Sequence, residues 1–466
     1  MTFPRMSRTI HHFTRHRRWI SLAFGSFALN WPRPALAEVD PYDVVRRIAD
    51  VLVRIEQDYV DPIERARLVD GATGGMVAEL DPHSAYLTPA QFAQFLEDTQ
   101  GQFAGIGVEV DFRNDQVTVI STMPSSPAER AGILPGDRIV AIDGVPVTGV
   151  RADVMVKRMR GTAGTVVKLT IRRDGRAEPI SLDVTRAIVV VPSVEGRMLD
   201  GAVAYVRLKA FQEGCYQELL DVLADLGKTS RVRGLLLDLR SNPGGLVSEA
   251  VAIADEFLGN GVIYSARHRG KVVEVVSSHD GDLLEKIPLL VLVNASTASS
   301  AEIVAGALRD HGRATLVGEP TFGKGSVQNI IELPDGSGLL LTTLRYFTPN
   351  GHAIQARGLT PDILVEAQPN IVKIREADLD GHLQTEGTEE TTDEARARGA
   401  VTHQTTAEPG SINDSPEHEL TPNDAPKEQF VSPERIPLTH LPSDPSNAAD
   451  RALAKAYTLL RSRLAH

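Results

Sequence analysis

The sequence predicts an α/β core that follows a helical N-terminal region and a small, mostly β module. Three observations predict this fold class. Continuous apolar strands alternate with helical patterns over 187–368, which is typical of a sheet covered on both faces. Short alternating strands occupy 101–186, and an apolar period of about 3.6 residues begins the region 38–100. We therefore expect two or three globular domains in about 330 residues.

Residues 1–37 have the composition of an export signal. They contain six Arg and no Asp or Glu, an apolar stretch from Trp19 to Leu29, and an Ala35-Leu-Ala37 cleavage pattern. The apolar stretch is too short for a comfortable membrane span. We predict a signal peptide and a periplasmic protein, with association with the cell envelope left open. The general secretory route is favoured over the twin-arginine route that Arg17-Arg18 would suggest.

Charge and cysteine content exclude some classes of protein. Removing residues 1–37 takes the formal net charge from −12 to −18, and an acidic surface argues against nucleic acid as a partner. Cys215 is the only cysteine, so no internal disulfide can form, and we expect a buried structural thiol. We predict no cofactor and no metal.

The first two regions contain two local patterns. In the helical region, Asp81-Pro-His-Ser84 interrupts the apolar period, and Pro89 begins a second helix. In the β module, Gly105-Ile106-Gly107 precedes an alternating strand. Such a turn can hold a peptide's terminal carboxylate with backbone N–H groups, although Gly-x-Gly turns are common.

The composition changes after the core. Residues 381–445 contain thirteen acidic and four basic side chains with few apolar ones, so we predict that 369–445 is a disordered acidic linker. Residues 446–466 are predicted to form a helix with one apolar face: Leu453, Ala456, Leu460 and Leu464. We expect this helix to dock on this protein or on a partner.

Ser299 lies where a buried strand gives way to a helix. Ser299-x-x-Glu302 is a capping box, which by itself needs no catalytic role. The two interpretations are compatible, because a serine at a helix N-terminus lies beside unpaired backbone N–H groups. Such donors stabilise the oxyanion of a tetrahedral intermediate.

A nucleophilic serine needs a base, and no histidine has an obvious triad partner. Lys324 stands 25 positions after Ser299, between two glycines. Lowering a lysine pKa from about 10.4 to near 7 requires about 4–5 kcal/mol, which burial can supply. The alternatives are a solvated loop charge or a phosphate site. The Walker pattern disfavours the phosphate site, because it requires Ser or Thr where Gly325 stands.

Two further candidates accompany this pair. Asn242-Pro-Gly-Gly245 follows a buried strand, and its glycines allow a ligand to approach the backbone closely. The alternative is a plain strand-to-helix turn. Gln328 lies four residues after Lys324 and is a candidate for orienting the amine, the alternative being a surface glutamine.

Several motifs together resemble the carboxyl-terminal processing proteases, the PDZ-containing, tail-specific serine endopeptidases with a Ser–Lys dyad. The resemblance spans roughly residues 42–366 and rests on the following motifs: Leu80-Asp-Pro-His-Ser84, Phe103-Ala-Gly-Ile-Gly107, Ala131-Gly-Ile-Leu-Pro-Gly-Asp137, Arg160-Gly161, Leu239-Arg-Ser-Asn-Pro-Gly-Gly245, Ser299 to Ile303 and Gly318 to Gly325. It implies an α/β crotonase-like protease core (187–368), an inserted, mostly β PDZ domain (101–186) and a helical N-terminal region (38–100).

The resemblance also implies roles for individual residues. Ser299 is the expected nucleophile, Lys324 the general base and Gln328 the residue that orients it. Gly245 and the N–H of Ser300 are expected to form the oxyanion hole. The residues expected to bind peptide or to couple the PDZ domain to the active site are Gly105, Ile106, Gly107 and Arg160. The family usually writes Ser-Ala-Ser-Ala-Ser-Glu where this chain has Thr297-Ala-Ser-Ser-Ala-Glu302, so Ser300 and Ser296 stay open as nucleophiles.

The leading hypothesis is an exported Ser–Lys endopeptidase that binds apolar, free C-termini of proteins or peptides and is gated by its PDZ domain. One alternative is a catalytically silent PDZ scaffold on a degenerate hydrolase core. Another keeps the fold but hydrolyses or hydrates acyl-thioesters. The N-terminal helices and the C-terminal helix are candidate surfaces for a homo-oligomer or an adaptor protein.

Overall fold

The computed structural model describes residues 41–113, 116–123, 125–279, 287–365, 373–386 and 441–465. The predicted signal peptide lies outside these residues, and so does most of the predicted linker. The chain divides into two compact units, Met1–Leu68 and Val69–His466.

The first unit contains helix α1 (Pro41–Asp58) and the start of helix α2 (Arg65–Ala78). The guanidinium of Arg65 binds the Glu56 carboxylate through two bonds of 2.6 and 2.8 Å. The apolar positions of α1, such as Val45 and Val51, are exposed.

The second unit contains the rest of α2 and most of the secondary structure. Its further helices are α3 (Pro89–Thr99), α4 (Pro127–Arg130), α5 (Ala152–Met159), α6 (Cys215–Thr229), α7 (Val247–Phe257), α8 (Ser300–Asp310) and α9 (Arg451–Leu464), with 3-10 turns at Glu376–Asp378 and Pro445–Asn447. Its strands are β1 (Ala85–Leu87), β2 (Gln102–Gly105), β3 (Val108–Arg113), β4 (Gln116–Thr122), β5 (Arg138–Ile142), β6 (Val145–Pro146), β7 (Val166–Arg172), β8 (Ile180–Thr185), β9 (Ala187–Val190), β10 (Val194–Leu199), β11 (Val203–Leu208), β12 (Gly234–Asp238), β13 (Gly261–His268), β14 (Lys271–Ser278), β15 (Leu289–Val293), β16 (Ala314–Gly318), β17 (Ser326–Glu332), β18 (Gly338–Phe347) and β19 (Ile363–Leu364).

A six-stranded sheet forms the centre of the predicted core. Its strand order is β10-β11-β12-β15-β16-β19, and every pair from β11 to β19 is parallel. Strands β12 and β15 are buried along their whole length, which explains why their sequences are continuously apolar.

Different helices cover the two faces of this sheet. Helices α6, α7 and α8 pack on one face around a cluster that includes Leu237, Phe257 and Val304. Helix α9 packs on the other face. Its residues Leu453 and Leu460 belong to a second buried apolar cluster on that side. Of the two docking alternatives for the C-terminal helix, the structure therefore shows the one on this chain.

The remaining sheets surround this core. The range of the predicted PDZ module contains a sheet of order β3-β4-β5-β7-β8, with β6 paired to β5 and its own apolar core. A second sheet, of order β1-β18-β13-β14 with β17 paired to β18, joins the N-terminal strand β1 to the later part of the chain. Strands β2 and β9 form a short antiparallel pair.

Residues 373–386 correct the prediction of a linker that is disordered from residue 369. Glu376 is fully buried, and Arg375 donates to the carbonyl of Thr321 at 3.0 Å. The prediction was wrong for this stretch because it counted apolar residues, whereas hydrogen bonds and ion pairs hold the segment. Residues 441–445 also lie against the core, with Leu441 buried under α9.

Candidate active site

Three turns meet at one edge of the central sheet. Adjacent parallel strands β12, β15 and β16 lead into them at their carboxyl ends. We name them the glycine turn (239–246), the serine turn (294–299) and the lysine loop (319–325). Ligand sites of α/β sheets form at such edges, so this topology brings the sequence candidates together.

Ser299 has a strained backbone. Its φ of 57° and ψ of −121° lie outside the regions that a residue with a Cβ atom usually adopts. Its N–H donates to Glu302 Oε2 at 2.9 Å, which is one half of the predicted capping box. Ser299 is half-buried and precedes α8, so its side chain lies beside the N-terminus of that helix.

The glycine turn packs directly against Ser299. A Cβ atom on Gly244 would lie 2.7 Å from the Cβ of Ser299 and 3.0 Å from the N of Ser300. The hydroxyl of Ser300 donates to the carbonyl of Gly245 at 2.8 Å. Within the described ranges, the N–H groups of Gly245 and Ser300 donate to no acceptor. Two such donors beside the serine are available to an oxyanion.

Lys324 lies half-buried on the lysine loop. Burial lowers its pKa, while the carboxylates of Glu376, Asp81 and Glu302 act in the opposite direction. In the part of the chain that the structure describes, no hydrogen bond joins Lys324 Nζ to Ser299 Oγ. Catalytic hydrogen bonds often tighten only when substrate binds.

Glu302 connects the serine turn to the lysine loop. Its fully buried carboxylate accepts the N–H of Ser299, the N–H of Gly323 and the N–H of Lys324, each at 2.9 Å. The Thr321 hydroxyl contacts the same carboxylate. Burial raises the pKa of Glu302 to about 8, although these hydrogen bonds oppose the shift. The sequence contained a signal for this residue, the Ser-x-x-Glu pattern, but not its link to Lys324.

Tyr346 is a second link that the sequence did not reveal. Its fully buried hydroxyl donates to the carbonyl of Lys324, and Ser299 lies near enough to lower the pKa of the phenol. Burial, together with the carboxylates of Glu302 and Glu376, raises its pKa well above the usual value, so the hydroxyl stays protonated.

Gln328 is not hydrogen-bonded to Lys324 in the described structure. Its Nε2 donates to Ser326 Oγ at 3.0 Å and to Thr342 Oγ1 at 3.1 Å. Thr342 Oγ1 in turn donates to Asp81 Oδ1 at 3.1 Å. The amide that was expected to orient the amine is thus tied to the neighbouring strand and to the Asp81 turn.

Two other residues near Lys324 come from distant parts of the sequence. Asp81 belongs to the Asp-Pro-His-Ser pattern, where its Oδ1 accepts the N–H groups of His83 and Ser84 at 2.9 and 3.0 Å. That pattern was visible in the sequence, but no role was assigned to it. Glu376 had no local signal, because it lies among other acidic residues.

An ionic network supports the glycine turn from behind. The buried carboxylate of Asp238 binds Arg240 at 2.6 Å, and Arg240 also binds Asp450, the N-cap residue of α9, at 2.7 Å. Burial opposes ionisation of Asp238, but Arg240, Arg207 and the Tyr205 hydroxyl lower its pKa. Both carboxylates therefore hold Arg240, the second residue of the turn.

Other candidate groups bind elsewhere. His311 Nε2 lies 2.7 Å from the carbonyl of Val262, and His268 Nδ1 lies 2.9 Å from that of Thr343. Cys215 is buried, and burial raises the pKa of its thiol, as suits a structural residue. Within the described ranges no His, Cys, Asp and Glu group could hold a metal ion, and no helix has the length and apolarity to cross a membrane.

The peptide-binding candidates lie at the start of the β module. Gly107 has a φ of 74°, and a Cβ atom there would lie 2.5 Å from Ser126 Cβ, so glycine is required. The Ile106 side chain is buried in the module's core, and only its backbone can face a ligand. Gly105 ends β2, while β3 is the edge strand of its sheet.

Arg160 lies at the junction of this module with the rest of the unit. Its guanidinium is 4.6 Å from the Phe103 ring and 3.3 Å from Asp98 at the end of α3. The next residue, Gly161, donates its N–H to Ala104. The end of α5 is thus attached to the helix that precedes the module.

Comparisons with known proteins place this site in a family. The family model described as Peptidase family S41 matches residues 202–365, and that of the PDZ domain matches residues 104–184. A carboxy-terminal-processing protease of Bartonella bacilliformis (strain ATCC 35685 / KC583 / Herrer 020/F12,63) is 40% identical over 359 residues, which is 74% of this chain and 82% of that protein. The chain belongs to this protease family.

A second curated relative agrees with the assignment, and one solved structure is also similar. A probable CtpA-like serine protease of Staphylococcus aureus (strain COL) is 36% identical over 352 residues, covering 73% of this chain and 70% of the relative. The solved photosystem II D1 C-terminal processing protease is 30% identical, covers 68% of this chain and 92% of its own, and superposes with a TM-score of 0.43. The family assignment makes the chain a serine-type protease with a PDZ domain, and it confirms the resemblance inferred from the motifs.

Proposed function

We propose that this family member is an exported, periplasmic endopeptidase that hydrolyses peptide bonds with a Ser299–Lys324 dyad and selects apolar C-termini through its PDZ domain. The observation that carries the proposal is the Glu302 carboxylate, which binds the N–H groups of both Ser299 and Lys324. A single buried group thereby fixes the distance between the serine turn and the lysine loop.

The groups at this edge suffice for acyl transfer. Lys324, whose pKa is lowered by burial, takes the proton of Ser299 Oγ in its neutral form as that oxygen attacks the scissile carbonyl. The N–H groups of Gly245 and Ser300 stabilise the oxyanion. The resulting ammonium of Lys324 gives the proton to the leaving amine, and a water molecule then releases the acyl group from Ser299 by the same route.

The PDZ domain supplies substrate selection. A terminal carboxylate binds the backbone N–H groups of the turn from Gly105 to Gly107, and the peptide adds as a strand along β3. Arg160, bound to Asp98 and stacked on Phe103, connects peptide binding to the elements around the active site. Export rests on the basic and apolar pattern of residues 1–37.

One experiment tests the proposal. The protein lacking residues 1–37 is incubated with denatured casein, with and without a peptide that ends in apolar residues. We expect hydrolysis that the peptide changes, and a loss of more than about 1,000-fold in both Ser299→Ala and Lys324→Ala. Wild-type hydrolysis by either variant would overturn the dyad. Normal peptide binding without turnover by the wild-type protein would favour the scaffold alternative.

A further inference from the structure

Residues 373–386 form a strap across the lysine loop. Arg375 Nε donates to the Thr321 carbonyl at 3.0 Å, and the N–H of Glu376 donates to the Phe322 carbonyl at 3.1 Å. Lys373 forms an ion pair with Glu319 at the start of the same loop. The strap follows residue 365, where the match to the peptidase family model ends.

The carboxylate of Glu376 is the buried centre of this strap. Its Oε2 lies 2.7 Å from His83 Nε2, and its Oε1 accepts from Gln355 Nε2 at 2.7 Å. The Oε1 atom of Gln355 accepts the N–H of Gly325 at 3.0 Å. Gln355 thus bridges the carboxylate to the peptide group that follows Lys324.

The charged groups around the two residues are few. Lys324 interacts with the carboxylates of Glu376, Asp81 and Glu302. The titratable neighbours of Glu376 in the described residues are His83, Lys324 and Tyr346, and its neutral hydrogen-bond partner is Gln355. A buried carboxylate must be paired, and an ionised carboxylate accepts but does not donate, so its contact with His83 requires the proton on Nε2 of the imidazole.

We propose that Glu376 and His83 are positioning residues for Lys324: the imidazole holds the buried carboxylate, and the carboxylate holds the lysine loop through Gln355 and biases the charge of the amine. This inference rests on the proposed Ser299–Lys324 dyad. It adds two residues from opposite ends of the chain, neither of which touches the reacting atoms.

The bias has a definite sign. An ionised Glu376 favours the ammonium form of Lys324, so it opposes the effect of burial on the amine. Replacing the carboxylate by an amide keeps the shape but removes the charge. The amine then loses its proton at lower pH, and the limb of the pH–rate profile that reports the base moves to lower pH.

The test is the pH dependence of kcat/KM on a fluorogenic peptide with an apolar C-terminus. It uses the full chain without residues 1–37, and melting temperatures are measured in parallel. We expect the ascending limb of Glu376→Gln to lie about one pH unit below that of wild type. The matched control is Glu386→Gln in the same strap, because Glu386 pairs with Arg267 and Arg345; its limb is expected to stay in place.

A second pair of variants tests the role of His83. These variants also test the proposal if Glu376→Gln does not fold. His83→Ala removes the donor that stabilises the ionised carboxylate, so its limb is expected to move in the same direction. His83→Gln restores a donor and is expected to restore the limb. If the ascending limb of the pH–rate profile lies at the wild-type pH in both Glu376→Gln and His83→Ala, the two residues have only a structural role. This holds even if the maximal kcat/KM or the melting temperature is lower. Hydrolysis that survives in Ser299→Ala would instead refute the dyad itself.

Discussion

The glycine turn follows β12 and the lysine loop follows β16, on either side of β15, yet different contacts hold them. Backbone hydrogen bonds fix the glycine turn, because Phe211 N–H donates to Gly244 O and Leu246 N–H donates to Phe211 O. Side chains from other segments also hold the lysine loop: Glu302 accepts the N–H of Lys324, and Gln355, which binds Glu376, accepts the N–H of Gly325. The position of the base therefore depends more on side chains from other parts of the sequence than the position of the oxyanion donors does.

The largest effect is expected on the backbone-held side. Gly245 has a φ of 140°, and a Cβ atom there would lie 2.3 Å from the Phe211 carbonyl oxygen. Gly245→Ala must displace the turn, so we expect kcat/KM to fall by about 100-fold or more. Gly227→Ala in α6 is the matched control, because a Cβ atom there meets nothing within 4 Å. Equal activity of the two variants would contradict the account of the glycine turn.

A smaller loss of activity with a distinct pH signature is expected for Glu302→Gln. The amide presents an NH₂ group to backbone N–H donors, so we expect kcat to fall by about tenfold. Folding raises the pKa of Glu302 from 4.5 to about 8. The stabilising contribution of the protonated form is therefore complete below about pH 4.5 and is lost as the pH rises through 8.

Urea unfolding at pH 5.5 and at pH 8.5 measures this signature. From pH 5.5 to pH 8.5, the free energy of unfolding should fall more for the wild type than for Glu302→Gln. Parallel pH profiles of the two proteins would show that Glu302 does not titrate in this range.

The smallest effect is expected at the C-terminal helix. Asp450→Asn weakens the contact of α9 with Arg240, but Arg240 keeps its bonds to Asp238. We expect a loss of stability of about 1–3 kcal/mol and a few-fold fall in kcat/KM. Chemical denaturation and peptide hydrolysis measure the two quantities. Lys228→Gln, at an exposed ion pair, serves as the control. An equally large loss of stability and activity in that variant would show that the contact of α9 with Arg240 does not support the site.

The sequence predicted the two sides of the site unequally. Strand-to-helix turns with Gly245 and Ser299 were predictable, because local composition and apolar strands determine them. The partners of Lys324 were not predictable, since Asp81 and Glu376 lie 243 residues before and 52 residues after it. Only the fold brings them together. Gln328 shows the same limit, because its amide binds Thr342 on a strand whose register the sequence did not reveal.

The same limit explains the strap. Its acidic composition predicted disorder, yet the Glu376 side chain is buried. His83 and Gln355 contact its carboxylate, and no local sequence pattern predicts these partners. Composition measures how much apolar surface a segment can bury. It does not measure how many buried hydrogen bonds distant residues offer.

The most direct test of the central claim is covalent labelling of the nucleophile. A fluorophosphonate probe reacts with an activated serine, and mass spectrometry identifies the residue. We expect the label on Ser299 in wild type, at a rate that falls by about 100-fold or more in Lys324→Ala. A label on Ser296 or Ser300, or equal labelling of Ser299 in Lys324→Ala, would contradict the account.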